Sequence, residues 1–429
     1  MRRRRSSRIC SKVSPLPGPD FSARAGGSAF CLSYRRCLGQ VLRKIAMDKD
    51  VLPLALILFL VEFVRGAYLV SFLPTYATGI LGLSVAVVGA AVSVHYVSDT
   101  AIKCLAGYLL DRFSLRLILH SGLFVSLLGL LAMYYFHQAW VLIAAAAVFG
   151  IGVSPVWLVC LSKIKEENRA SQMGILYTIW LVGLGSGPVV INFLIDKGYR
   201  LSFWLMVGLW ALGWLLALRM KNEVASKQTY IPLKRQAELL WERMKTMKPL
   251  LPGMILQTAA AGMLVPILPS FAANTLGVSH SGYSLVLMAG GALTVLFLIP
   301  MGKWSDRLGR KWFLVFGFGV MAAALFLLTR VTALPAAVLI AAVLGFAYSA
   351  VLPAWNALLA DYVPKNQQGL GWGLFSSVEG IGVAIGPVIG GWLAAAFHEP
   401  AAVLTSAALL GGIALFYCFV PVERVMEHG

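Results

Sequence analysis

From residue 52 onward the chain alternates long apolar runs with short polar stretches. The runs lie near 52–77, 85–110, 115–136, 139–162, 171–194 and 202–220, and then near 249–274, 282–303, 312–329, 335–360, 369–396 and 400–421. Each is close to the roughly 20 residues that carry a helix across a bilayer. No water is present at that depth to satisfy backbone N–H and C=O groups, so such runs must be helical. The pattern predicts an all-α membrane protein with twelve transmembrane helices.

Composition agrees with the pattern. The 429 residues are 59% apolar and 13% charged, and the mean hydropathy of +0.80 is far above that of soluble domains. A net charge of +18 would suit a nucleic-acid partner, but its placement points elsewhere. Twelve of the 36 Lys and Arg residues precede the first span. Nineteen more, among them Arg116, Lys163, Lys303, Lys311 and Lys365, lie in connections on the same side or in the C-terminal tail, against only Lys197, Arg200 and Arg330 on the other. By the positive-inside rule this places both termini of a multi-pass cell-membrane protein in the cytoplasm. The basic charge is a topology signal, and no nucleic-acid partner is implied.

The runs fall into two related sets. FLPTYATGILGLS at 72–84 returns as ILPSFAANTLGVS at 267–279, and GYLLDRFSLR at 107–116 returns as GKWSDRLGRK at 302–311, both at an offset of 195. Gly174, Gly183, Gly187 and Pro188 return as Gly373, Gly382, Gly386 and Pro387 at an offset of 199. Two pseudosymmetric six-helix halves follow, at 51–220 with a polar pocket and 249–421 with an apolar one. A disordered basic extension (1–50), with Met47 as an alternative start, precedes them. A cytoplasmic linker (221–248) joins them, with an amphipathic helix carrying Leu239, Leu240, Trp241 and Met244, and a cytoplasmic tail (422–429) follows.

The GKWSDRLGRK segment resembles the signature between the second and third helices of each half in the major facilitator superfamily of secondary transporters. The resemblance covers residues 50–421 and implies a gating role for Asp306, Arg307 and Arg310. It extends to Asp111 and Arg112 in the degenerate first copy, where Ser114 and Leu115 replace the expected Gly and Arg. The Gly174–Pro188 pattern is similar to the fifth-helix motif of the superfamily's antiporters, although Ile191 and Asn192 stand where two glycines would close it. Gly187, Pro188, Gly386 and Pro387 are thereby expected at close helix contacts that move.

The repeat also works as an internal control on charge. Glu62 and Arg65 in LFLVEFVRGAY meet Gln257 and Ala260, while Asp99 and Lys103 meet Thr294 and Leu298. The fold alone therefore does not require charge at these depths. Glu62 and Arg65 share a helix face by i, i+3, as His95, Asp99 and Lys103 do by i, i+4, i+8. Intramembrane ionisable groups must find partners or water. Two readings follow: an ion-pair cluster locking the first two helices, or a polar pocket in which Glu62 and Asp99 exchange protons. In the second reading His95 relays protons, Lys103 holds Asp99 ionised and Arg65 binds headgroup atoms. Trp157 and Trp180 either stack on sugar rings there or fill core. In the second half Glu379 is either a second proton site or a residue merely capped by a neighbouring helix, and Asn356 is a lesser polar exception.

One polar and one apolar half suit an amphipathic ligand. VEFVRG, the mid-helix Asp99 and the tryptophans of helices four and five resemble the proton-coupled flippases for the glycolipid anchor of lipoteichoic acid. That resemblance implies a disaccharide headgroup near Glu62, Arg65, Asp99, Trp157 and Trp180, acyl chains toward the second half, and antiport of protons by alternating access. Substrate binding would involve Asn356 and Glu379. A multidrug/proton antiporter is the alternative, with Asp99 taking cationic drugs, although Arg65 disfavours cations. The six cysteines and six histidines show no CxxC, HExxH or other paired spacing, and no GxSxG is present. No enzyme, metal site or cofactor is implied, and a monomer suffices.

Overall fold

The computed structural model describes residues 51–104, 113–162, 169–220, 238, 247–362 and 368–420. The basic extension, the linker side chains Leu239, Leu240, Trp241 and Met244, the Asp111 and Arg112 turn, and the C-terminal tail lie outside the described residues.

The described chain is helical. The first span is α1 (Val51–Gly66), a π-helical stretch (Ala67–Phe72) and α2 (Leu73–Gly79). Then come α3 (Val85–Cys104), α4 (Leu115–Tyr135), α5 (Ala139–Ser162), α6 (Arg169–Ile195) and α7 (Tyr199–Ala217). The second set is α8 (Leu251–Leu264), α9 (Leu268–Asn274), α10 (His280–Leu308), α11 (Arg310–Leu328), α12 (Leu334–Asp361), α13 (Gln368–Ala396) and α14 (Glu399–Phe419). Among the described residues 11 helices are long and apolar enough to cross a membrane, and α8 with α9, bent by 48°, makes a twelfth if the pair is one span.

Local chemistry explains the ends and breaks. Ser114 and Ser279 cap α4 and α10, accepting the N–H of Leu117 at 3.3 Å and of Gly282 at 3.1 Å, which satisfies one of the orphaned first-turn donors. Gly82 (φ 66°) and Gly277 (φ 64°) occupy equivalent places in the two repeats, where the turn needs the left-handed region open to glycine. The α8/α9 break falls at Pro266, which has no N–H and crowds the Gly262 carbonyl four residues back. Its first-half counterpart is Ser71, and there the helix continues through the π stretch instead.

Two apolar cores form. One contains Ile57, Leu58, Tyr68, Phe72, Phe149 and Trp210, and the other contains Met254, Phe271, Phe318, Trp355 and Tyr417. Within each set the same pairs of helices meet through glycine. A Cβ on Gly150 (α5) would strike the His95 carbonyl of α3, and a Cβ on Gly345 (α12) would strike the equivalent Gly290 carbonyl of α10. Gly183 and Gly187 press α6 onto the Phe59 and Phe63 carbonyls of α1, while Gly382, Gly386 and Gly390 press α13 onto Ile255, Ala259 and Met263 of α8. Such close approach replaces the hydrophobic driving force that is lacking between helices in lipid.

The two sets touch along two helix pairs. α3 meets α13 where Gly89 abuts Pro387 and Gly391 and where the Val388 N–H donates to Ser93 Oγ at 3.1 Å. α6 meets α10 where the Ser284 hydroxyl donates to the Val189 carbonyl at 2.7 Å. Just beyond α6, Asp196 accepts from the Ser281 backbone N–H at 3.0 Å and from the Ser281 hydroxyl, and lies 2.9 Å from His280 Nδ1. Gly187 and Gly386 therefore sit at contacts within one set of helices, whereas Pro387 and Gly391 sit at a contact between sets.

Candidate functional site

The charges that the sequence placed in the first two spans are buried together. Glu62 is 2% exposed, Arg65 6%, Asp99 3% and His95 0%. Arg65 Nη1 lies 3.3 Å from Glu62 Oε1, as their i, i+3 spacing on α1 allows. The Arg65 guanidinium also sits 5.7 Å from the centroid of the Tyr96 ring, which couples α1 to α3. One turn along α3, Lys103 Nζ lies 2.7 Å from Asp99 Oδ2. The other Asp99 oxygen accepts from the Ser154 hydroxyl of α5, which also lies 2.6 Å from the Asp99 carbonyl.

Two acids and two bases sum to a neutral array, the arrangement that makes buried charge tolerable. The array is incompletely satisfied, however. Among the described residues Glu62 Oε2, Arg65 Nε and His95 Nε2 have no hydrogen-bond partner, and the Tyr68 and Ser71 hydroxyls in the adjoining π stretch have none either. His95 Nδ1 lies 3.3 Å from the Ala146 carbonyl. A carbonyl can only accept, so Nδ1 carries the proton and the unpartnered Nε2 is left as an acceptor. Buried polar atoms are ordinarily paired, so a group of unpaired ones beside an ion pair marks a place where a polar ligand, water or a proton can be taken up. π-helical stretches recur at functional sites, and this one begins two residues after Arg65.

Trp157 on α5 and Trp180 on α6 face each other with ring centroids 6.5 Å apart at 60°. Gly183, one turn from Trp180, packs against Glu62, where an added Cβ would lie 3.2 Å from the Glu62 Cβ. Glu62, Arg65, His95, Asp99, Lys103, Trp157 and Trp180 thus lie on four helices of the first set that pack on one another. The second-set residues are separate. Glu379 on α13 accepts the Trp355 indole N–H at 3.0 Å. Asn356 is exposed, and its amide donates to the Leu352 carbonyl of its own helix at 2.9 Å. The Asp306 carboxylate, 62% exposed, lies 3.7 Å from Arg310 Nη2, and Arg310 Nη1 donates to the Ala357 carbonyl of α12 at 3.0 Å. Arg307 is exposed.

Sequence reading alone did not select Ser154, Tyr96 or Trp355 as partners of these groups. Ser154 and Asp99 are 55 residues apart in the chain, and only the α3/α5 contact at His95 and Gly150 brings them together. Ser349, the repeat counterpart of Ser154, donates to Phe346 of its own helix instead. The asymmetry of Asp99 against Thr294 was the available signal.

The comparisons with known proteins follow the same lines. Two curated relatives are named Proton-coupled antiporter flippase LtaA. The Staphylococcus saprophyticus protein is 34% identical over 349 residues, 80% of this chain and 87% of its own. The protein of Staphylococcus aureus strain MSSA476 is 33% identical over 358 residues, 82% and 89%. Among solved structures, the nucleoside transporter NupG superposes with a TM-score of 0.70 at 14% identity, covering 89% of this chain and 100% of that one. The D-xylose-proton symporter does so at 0.66 and 17%, covering 88% and 99%, and these distant likenesses speak for the fold. The Major Facilitator Superfamily profile matches residues 54–256 and 250–428, and with both sets of helices accounted for, the chain belongs to that superfamily of transporters.

Proposed function

We propose that this secondary transporter exchanges protons for an amphipathic glycolipid, moving the lipid between leaflets by alternating access. The observation that carries the reading is the neutral but under-satisfied array of Glu62, Arg65, Asp99 and Lys103, set among the helices that bear the Trp157–Trp180 pair. Relatives at 33–34% identity named as proton-coupled antiporter flippases support it. Sequence resemblance to flippases of the lipoteichoic-acid anchor lipid suggests a disaccharide headgroup.

Arg65 supplies a fixed cation with an unpartnered Nε donor, suited to headgroup oxygens. Glu62 holds that cation while ionised. Protonation of Glu62 cancels the attraction and frees the guanidinium for substrate; loss of the proton restores the pair and returns the headgroup. Asp99, held by Lys103 and Ser154, stays ionised throughout, so the array carries one net positive charge while Glu62 is protonated. The indoles of Trp157 and Trp180 offer apolar faces for sugar rings and N–H donors for hydroxyls. The apolar second set accommodates acyl chains. Two sets of helices rocking about a midplane site provide the exchange of access, with the α3/α13 and α6/α10 contacts as the surfaces that remake. The termini face the cytoplasm, and one copy of the chain is sufficient.

Proteoliposomes holding the purified chain, labelled diglucosyl diacylglycerol and a pH gradient test the proposal. Gradient-accelerated movement of the glycolipid supports it. Transport of a cationic dye in place of the glycolipid rejects it and favours a multidrug antiporter.

A further inference from the structure

The second set of helices contains a carboxyl that the array above does not use. Glu379 lies on α13, bordered by Phe375 and Val378 of the second apolar core. Trp355 of α12, only 3% exposed, donates its indole N–H to Glu379 Oε1 at 3.0 Å and packs on Tyr417 of α14 at 6.2 Å between centroids. The Thr258 hydroxyl of α8 lies 2.9 Å from the Glu379 backbone carbonyl and 2.8 Å from the Met254 carbonyl of its own helix, which brings this residue into close contact with α8. Among the described residues the ion pairs are elsewhere, at Glu62, Asp99, Asp196 and Asp306, and Glu379 has no cation within 4.0 Å. The other ionisable groups on the helices around it are Tyr348 and Asp361 of α12, Glu399, Tyr417 and Cys418 of α14, and His95, Tyr96, Asp99, Lys103 and Cys104 of α3; α8 carries none.

The repeat gives this position a meaning. At the offset of 199 that relates the two glycine motifs, Glu379 is the counterpart of Trp180, and at the offset of 195 Trp355 is the counterpart of Cys160. In the first set an indole and a thiol occupy these places; in the second a carboxyl and an indole do, hydrogen-bonded to each other. The next residue, Gly380, faces Thr100 of α3, whose Oγ1 would lie 3.5 Å from an added Cβ, and Thr100 follows Asp99. Asp99 and Glu379 therefore flank one contact between the two sets of helices.

We propose that Glu379 is a second proton-carrying site, separate from the Glu62–Asp99 array, whose proton decides whether the apolar tail of the substrate passes α13. The inference rests on the flippase reading for the identity of that tail. An ionised side chain among apolar helices within the bilayer is costly, and a single neutral indole donor does not offset a full charge. A proton taken from water forms an O–H bond on one carboxyl oxygen, while Trp355 continues to donate to the other. The resulting neutral acid is compatible with acyl chains beside it. When α13 moves against α3 and water reaches the group, the O–H bond breaks and the proton leaves to water.

The test uses infrared pH-difference spectra of the full chain in lipid nanodiscs, comparing wild type with E379Q, E379D and W355F. Loss of one protonated-carboxyl carbonyl band in E379Q, its retention in E379D and its shift in W355F are expected. In proteoliposomes with labelled diglucosyl diacylglycerol, E379Q should lower pH-driven exchange roughly tenfold or more with E379D largely active. Superimposable spectra of wild type and E379Q overturn the proposal, as does an E379Q protein that lacks the band yet exchanges like wild type. If the wild type moves no glycolipid, the flippase reading fails, and the presence or absence of the Glu379 band still decides whether the site carries a proton.

Discussion

Replacing Glu62 by glutamine removes one charge from a buried pair and leaves the other in place. With 3.3 Å between Arg65 Nη1 and Glu62 Oε1, the Coulomb attraction is about 5 kcal/mol at an effective permittivity of ~20. Most of that offsets the cost of desolvating the two groups, so the intact pair adds little net stability. Stranding Arg65, only 6% exposed, costs about 3–5 kcal/mol. E62Q should therefore unfold at a lower temperature than wild type, while the double variant E62Q/R65Q, which strands no charge, should recover most of the loss. Coupling should behave differently. Glutamine cannot exchange a proton in this range, so pH-driven exchange should fall by about 100-fold, equivalent to ~2.7 kcal/mol, in the single variant and stay low in the double one. Thermal midpoints and liposome exchange, measured on both variants and on R65Q, form a cycle that separates the structural part from the functional part. A double variant that regains both stability and pH-driven exchange would refute the reasoning, because the pair would then serve only to hold α1.

Two further outcomes follow from helix contacts. In G187V the new side chain meets the Phe63 carbonyl of α1 and the Ala67 amide of the π stretch, and overpacking of this kind costs about 1–3 kcal/mol; a lowered thermal midpoint checks it, and an unchanged one contradicts this helix contact. Asp196 concerns the contact between α6 and α10: burial pushes its carboxyl up, but the Ser281 and His280 donors outweigh that and hold it below the usual carboxylate range. The sign is that of a depressed acid, so its contribution is fully present above the ordinary carboxylate value and is lost as pH falls through the lowered one. Near neutral pH the contact is therefore insensitive to Asp196 titration. D196A should open it at all such pH values, raising about tenfold or more, as loss of hydrogen bonds to a charged group at ~1.5–3 kcal/mol implies, the thiol labelling of a cysteine replacing buried Ser284 in a background without other cysteines. Equal labelling with and without Asp196 would show that the contact does not hold that end closed.

The twelve spans, the two related sets of helices and the presence of unusual charge at Glu62, Arg65, Asp99 and Lys103 were all legible in the chain. The reason is that bilayer thickness fixes run length, repeats preserve spacing, and a charge among apolar residues is conspicuous in one dimension. Intrahelical pairs such as Glu62–Arg65 and Asp99–Lys103 were legible for the same reason, because i, i+3 and i, i+4 neighbours follow from helix geometry alone. The break at Pro266 and the π stretch after Gly66 were not, since both lie within runs whose hydropathy is uninterrupted. Tertiary structure alone decided which long-range partners the charges have: Ser154 for Asp99, Tyr96 for Arg65, Trp355 for Glu379. It also decided that Gly187 and Gly386 press helices together within each set, whereas Pro387 and Gly391 meet α3 of the other. These contacts depend on how helix faces rotate toward one another, and hydropathy, which is nearly uniform around a buried membrane helix, carries no record of that rotation.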